Sequence, residues 1–389
     1  MAEGAATEHR DHQDHSVGAR KSWLLVGGGF AIIVLWFLFA VATPSVRVVS
    51  IGPSRVKPRI AVSGDRVLLL APDGSLWTWA EGTKPRRLGT ESDWQAIALS
   101  LSDCVGLKTN GTLWQWQKTP GGSPIALSQL SPASHWQAVT ADNLGFAALR
   151  DDGTLWTWRG TPVQFDDSTN WVSIAGGYGH TAAVSRDGTL WVWGQFYSGQ
   201  PIGATQFGND TNWMAVYGAT YELMARKRDG SCWMGGSSTP WLTNLLALQR
   251  PLQWGEMAPI KEIEDWDSFA FGSCALGLRS DGTLHGFGVN WAGILGSGPF
   301  RVRKGPVQIT ARRDWVAVGA SGWVAAGLTA DGTVWAWGKR VDRRSLLAQV
   351  KQNAAQWLRP LGITLNTAAT DLTSPRPMPI LQFRSREGG

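Results

Sequence analysis

The phrase Asp-Gly-Thr-Leu-Trp-x-Trp, or a close variant, occurs seven times in this chain, starting at Asp73, Asn110, Asp152, Asp187, Asp229, Asp281 and Asp331. Successive copies lie 35 to 52 residues apart. A period of that length marks a repeated supersecondary unit that cannot bury its own apolar faces and must stack on its neighbours. Asp-Gly and Asn-Gly predict a two-residue type I′ hairpin turn, whose central positions both need positive φ. An apolar or small stretch precedes each turn, such as Val67-Leu68-Leu69-Leu70. After the turn, Trp at i and i+2, as in Trp156 and Trp158, places both rings on one face of a strand.

A further Trp opens another strand upstream, at Trp94, Trp136, Trp171, Trp213, Trp266 and Trp315. Each repeat therefore holds about four strands, the pattern of one propeller blade. Stacking the blades in a ring covers both faces of each sheet and leaves only short edges. All but Trp23 and Trp36 of the 24 tryptophans fall in this region, and they read as packing between blades rather than as a binding surface. With 43% hydrophobic and only 17% charged residues, a generally disordered chain is excluded. Three cysteines without a Cys-x-x-Cys pair exclude a disulfide scaffold and a cysteine-ligated zinc module.

The repeats are preceded by a segment of another kind. From Ser22 to Val46 there is no charged residue, and the run Trp23 to Thr43 is apolar or small throughout. As a helix it would span about 32 Å, against a hydrocarbon core of about 30 Å. The expectation is a single transmembrane helix over 22–44. A cleavable signal peptide is the competing reading, since Ala40-Val41-Ala42 resembles a cleavage site, but the apolar run is long for that and acidic residues precede it. Residues 1–21 read as a polar tail; His9, His12 and His15 are not spaced to hold a metal on one helix face. Residues 45–59, with Pro44, Pro53, Pro58 and four basic residues around them, read as an extended basic linker. The propeller is expected over 60–383, with a short C-terminal tail at 384–389.

The stretch Gly176-Gly-Tyr-Gly-His-Thr-Ala-Ala-Val-Ser-Arg-Asp-Gly-Thr-Leu-Trp-Val-Trp-Gly194 resembles the repeat of the regulator of chromosome condensation family, and Phe287 to Gly296 resembles that repeat's second half. The resemblance implies a seven-bladed β-propeller, which agrees with the seven copies, and a ring closed by a terminal strand. The expectation is an all-β fold in which the C-terminal strand, Met378 to Phe383, completes the first blade. The resemblance also implies that the loop upstream of each hairpin lies on one face of the ring, where several members hold partners. Asp103, Tyr178, His180, Tyr221, Glu222 and Trp323 lie in or beside those loops and are the candidate partner-binding residues. Tyr and Trp are the usual anchors of protein interfaces.

No catalytic constellation stands out. His135, His180 and His285 fall in three different repeats, and His285 occupies a slot that carries Trp in other copies. Cys104, Cys232 and Cys274 are likewise scattered and read as buried thiols. No phosphate loop or zinc spacing occurs, and no catalytic residue, metal or cofactor is assigned. Nucleotide exchange on a small GTPase, known in nuclear members of the family, is not carried over, because their inserted wedge finds no match here. Photoreception is not carried over either, because the loops lack the Trp that it needs. The charge is uneven: residues 301–389 carry a net +9 and residues 69–300 a net −6. An acidic majority of blades behind a membrane anchor argues against nucleic acid as partner. The expected function is a membrane-tethered protein–protein interaction module, an accessory or scaffold subunit of a membrane complex, with the propeller extracytoplasmic. The alternative is an enzyme or inhibitor with a site built from propeller loops.

Overall fold

The structure is a computed structural model. It describes residues 46–342 and 373–385, apart from 81–82, 101–102, 118–126, 143–144, 196–200, 219–221, 237–251, 253–254, 272–273, 291–292 and 297–301. The expected tail and transmembrane helix at 1–44 lie outside the described residues. Among those described, no helix is long and apolar enough to cross a membrane.

Seven sheets account for the seven copies. A first strand, β1 (Arg47–Ile51), precedes the first blade and is not part of it. Blade 1 is β2 to β5 (Arg59–Ser63, Arg66–Leu70, Leu76–Trp79, Arg86–Leu88), and blade 2 is β6 to β9 (Trp94–Leu99, Asp103–Lys108, Leu113–Gln117, Ser128–Gln129). Blade 3 is β10 to β13 (Trp136–Asp142, Gly145–Arg150, Leu155–Trp158, Pro162–Gln164), and blade 4 is β14 to β17 (Trp171–Gly176, His180–Ser185, Leu190–Gln195, Pro201–Gln206). Blade 5 is β18 to β21 (Trp213–Gly218, Glu222–Lys227, Cys232–Gly236, Met257–Ile260), and blade 6 is β22 to β25 (Trp266–Phe271, Cys274–Arg279, Leu284–Val289, Val302–Gln308). Blade 7 is β26 to β29 (Trp315–Ala320, Val324–Thr329, Thr333–Asp342, Thr373–Ser385). Its order is β1-β29-β28-β27-β26, so β1 is a fifth strand lying parallel to β29, with Arg47 opposite Leu381 and Ile51 opposite Ser385.

This corrects the expected closure. The C-terminal strand joins blade 7, its own blade, and not blade 1, which is complete with β2 to β5. The inner strand Arg59–Ser63 carries no Trp to mark it, so it does not stand out in the sequence. Nor is 45–59 simply a linker, since it supplies β1 and the first residue of β2. The ring closes by packing. Trp77, Trp79, Val67 and Leu69 of blade 1 share one buried cluster with Leu328, Val334, Leu381 and Phe383 of blade 7. Trp77 and Phe383 lie 5.1 Å apart, and Ser321 Oγ donates to the Gly64 carbonyl at 2.7 Å.

The hairpin turns also differ from the expected type. Gly188 N–H donates to the Ser185 carbonyl and Ser185 N–H to the Thr189 carbonyl, both at 3.0 Å. Of the two expected left-handed residues only the glycine is one, with φ of +85° at Gly188 and +75° to +87° over the seven turns. This is a type I turn followed by a left-handed glycine bulge, the usual three-residue hairpin. The side chain before the glycine explains the choice. Asp187 Oδ1 accepts from Thr189 N–H at 3.0 Å and from Thr189 Oγ1 at 2.8 Å. Such a local bond keeps the aspartate out of the left-handed region. Several of the glycine carbonyls then accept from the next blade, as Gly188 does from Trp213 N–H at 3.0 Å, so the turn also links neighbours.

In five of the turns the hydroxyl passes the chain of bonds to the tryptophan, whereas in blade 7 Trp335 Nε1 donates to Thr329 Oγ1 at 3.0 Å. Trp191 Nε1 donates to Thr189 Oγ1 at 2.9 Å, and Trp77, Trp114, Trp156 and Trp233 repeat the contact in their own turns. In blade 6 His285 takes the place of Trp, its Nε2 3.0 Å from Thr283 Oγ1, which agrees with a packing role. Cations cap several of these rings: Lys227 Nζ lies 4.9 Å from the centre of Trp213 and 4.0 Å from that of Trp233. Lys227 also pairs with Asp210 at 2.8 Å. None of the three cysteines is in a disulfide, and all are buried.

Candidate functional site

The loops between the first and second strands of the blades lie at the end of the ring opposite the hairpin turns. In blade 4 the chain leaves β14 at Gly176 and re-enters β15 at His180, with Gly177 N–H donating to the His180 carbonyl at 2.8 Å. Blade 7 has the same loop, closed by Ser321 N–H to the Val324 carbonyl at 2.8 Å. Loops of three residues, as tight as these, turn side chains outward. Tyr178 is 45% exposed and Trp323 is 40% exposed. Among the described tryptophans Trp323 is the one left exposed, whereas those of the repeats are buried or partly so.

What holds these loops was not visible in the sequence. Gly194 and Gly338 close the third strand of their blades at φ of +109° and +120°. A Cβ on Gly194 would run into the Gly179 carbonyl, and one on Gly338 into the Trp323 carbonyl. The two glycines therefore let the exposed loops fold down onto the sheet. Ser321 Oγ sits beneath Trp323 and ties the loop to blade 1 through Gly64. The only sequence signal was the Trp-Gly pair that ends these two copies, Trp193-Gly194 and Trp337-Gly338.

The other candidates fall out differently. His180 and Glu222 are buried, at 1% and 3% exposure, so they support the loops and do not present side chains to a partner. Burial pushes the His180 imidazole down to about 4, against a smaller opposing pull from backbone groups of Glu222 and Tyr178. The ring is therefore neutral near pH 7 and joins the Tyr178 loop to blade 5. Asp103 opens β7, where it pairs with Gln117. Tyr221 lies outside the described residues. A buried polar link not foreseen joins blades 3 and 4: Asp142 Oδ2 accepts from Thr181 Oγ1 at 3.0 Å and pairs with Arg159 at 3.4 Å.

Among the described residues, no His or Cys of this face is poised as a catalytic base or nucleophile. His180 is held neutral, and burial pushes the Cys274 thiol up to about 12, far from a reactive thiolate. Among the described residues no three His, Cys, Asp or Glu side chains are grouped to hold a metal ion. Among the described residues, what the face offers is two exposed aromatic side chains on tight, hydrogen-bonded loops.

The sequence profile of the regulator of chromosome condensation (RCC1) repeat matches residues 171–200, the stretch that builds most of blade 4. Solved structures extend the likeness to the ring. Yeast RCC1 (Prp20), in a crystal structure with Kap60, is 14% identical, with a TM-score of 0.59 over 76% of this chain and 78% of that one. Human WBSCR16 is 16% identical, with a TM-score of 0.56 over 77% of this chain and 85% of that one. The fold is that of the RCC1 propellers. At such identities the likeness is one of architecture. No curated protein matches the sequence.

Proposed function

We propose that this chain is a membrane-tethered interaction module, an accessory or scaffold subunit whose loop face holds another protein at Tyr178 and Trp323. The observation that carries the reading is the exposure of these two rings, whereas the other described tryptophans of the repeats are buried or partly so. Exposed aromatic anchors on preorganised loops are the common core of protein interfaces. Yeast RCC1 (Prp20), a protein of the same architecture, is bound to Kap60 in its crystal structure. The tether is residues 22–44, from the length and apolarity of that run.

The test is co-purification from native membranes with the full chain as bait, comparing wild type with Tyr178→Ala/Trp323→Ala. A stoichiometric membrane partner held by wild type and lost by the double variant is expected, with the denaturation midpoint unchanged. Equal recovery of the partner by both would remove the loop face from the interaction.

A further inference from the structure

We propose that the outer edge of blade 7, built on β1, is a docking surface for an anionic lipid bilayer. The proposal rests on the tether reading. It deepens that reading by saying which part of the propeller meets the membrane.

Two observations carry it. The apolar run ends at Thr43 and β1 begins at Arg47, with only Pro44, Ser45 and Val46 between them. Four fully extended steps reach about 14 Å. Because β1 is hydrogen-bonded to β29 along its whole length, that short reach applies to the edge of the blade and not to a loose linker. A chain leaving a bilayer at Thr43 therefore brings Arg47, where this edge begins, to within about 14 Å of the surface.

The charge of the edge is the second observation. Residues 46–58 contain Arg47, Arg55 and Lys57 and no acidic residue. All three are exposed, as is Arg384 of β29, the partner of Ser50 in the parallel register. None of the four is in an ion pair among the described residues. Elsewhere in the ring Lys108, Lys227, Arg279, Arg312 and Arg313 are each neutralised by an aspartate. The nearby Asp73 is buried and accepts from Gly52 N–H and Ser75. Val48, 48% exposed, stands beside the basic residues on the same edge. Unpaired arginine and lysine next to a membrane anchor draw toward anionic headgroups within about a Debye length of the surface.

The test uses the full chain carrying Val48→Cys, reconstituted in nanodiscs of phosphatidylcholine alone or mixed with phosphatidylglycerol. The readout is the rate of labelling by a water-soluble maleimide. The native thiols are buried, and Val163→Cys, on an exposed outer strand of blade 3, is the control. Docking predicts labelling at position 48 slowed roughly tenfold by the anionic lipid, with position 163 unchanged. Adding Arg47→Glu, Arg55→Glu, Lys57→Glu and Arg384→Glu should restore the fast rate. High salt should do the same. Incorporation into nanodiscs with equal rates at position 48 in both lipids overturns the docking surface and leaves the tether standing. Failure to incorporate at all overturns the tether, and the docking surface with it.

Discussion

At the scale of single residues, His180 and the turn aspartates set how the fold responds to pH. The native His180 releases its proton only near pH 4, whereas an unfolded chain takes one up near 6.5. The unfolded state therefore binds more protons between those values, and stability falls as pH drops from about 6.5 toward 4, by about 3 kcal/mol in all. His180→Gln should flatten that part of the pH–stability curve; a curve unchanged from wild type would place His180 in solvent. The aspartates act lower. The hydroxyls of Thr154 and Ser185 are the leading cause holding Asp152 and Asp187 below the usual carboxylate value. Their contribution is present above that value and is lost as pH falls through the lowered one. Packing gives a second test at this scale. Trp158 is 3% exposed, whereas Trp156 is only partly buried. Trp158→Ala should cost about 3–5 kcal/mol, and Trp156→Ala less. Urea denaturation midpoints of the two variants compare them.

At the scale of elements, the hairpin is the unit that both folds a blade and joins it to the next. Gly188 is left-handed, and a Cβ there would meet the Thr211 carbonyl of the connection to blade 5. Gly188→Ala should therefore cost about 1–3 kcal/mol from backbone strain alone, with further loss from the displaced connection. An unchanged thermal midpoint would mean that the turn tolerates another conformation. Closure is the second element-level matter. β29 is the fourth strand of blade 7 and, among the described residues, the only partner of β1. Removing residues 373–389 should expose the edge of β28, free β1, and open the cluster around Phe383 and Trp77. Soluble, monomeric protein with a wild-type midpoint after that truncation would show that the ring does not need the strand.

At the scale of the whole molecule, the tether proposed over 22–44 would hold the ring on one side of a membrane, and the proposal places it on the extracytoplasmic side. The flanking basic residues do not decide it, because they are nearly balanced on the two sides, and long domains translocate largely regardless of charge. Protease added to intact cells with a permeabilised outer layer should digest the propeller and spare a tag at residue 1. Protection of the propeller with loss of the tag would reverse the arrangement.

The number of blades, the tryptophan core and the packing role of His285 were determined by the sequence alone. Each depends on contacts within one repeat or on a side-chain type repeated at fixed spacing, so each is written locally. The type I turn with its glycine bulge was also local, but it depended on a side-chain bond, Asp187 to Thr189, that competes with the two-residue turn the Asp-Gly pair suggests. What only the tertiary structure decided was set by pairings far apart in the chain. The register of Arg47 opposite Leu381 made a strand of the linker, and the pairing of β29 with β28 gave the C-terminal strand to blade 7. The meeting of blades 4 and 5 buried His180 and Glu222, while Tyr178, two residues away from His180, stayed in solvent. A repeat fixes what each blade is, because its hydrogen bonds close within the hairpin. Which strand ends the ring and which loop side chains stay exposed depend on what the neighbouring blade brings against them.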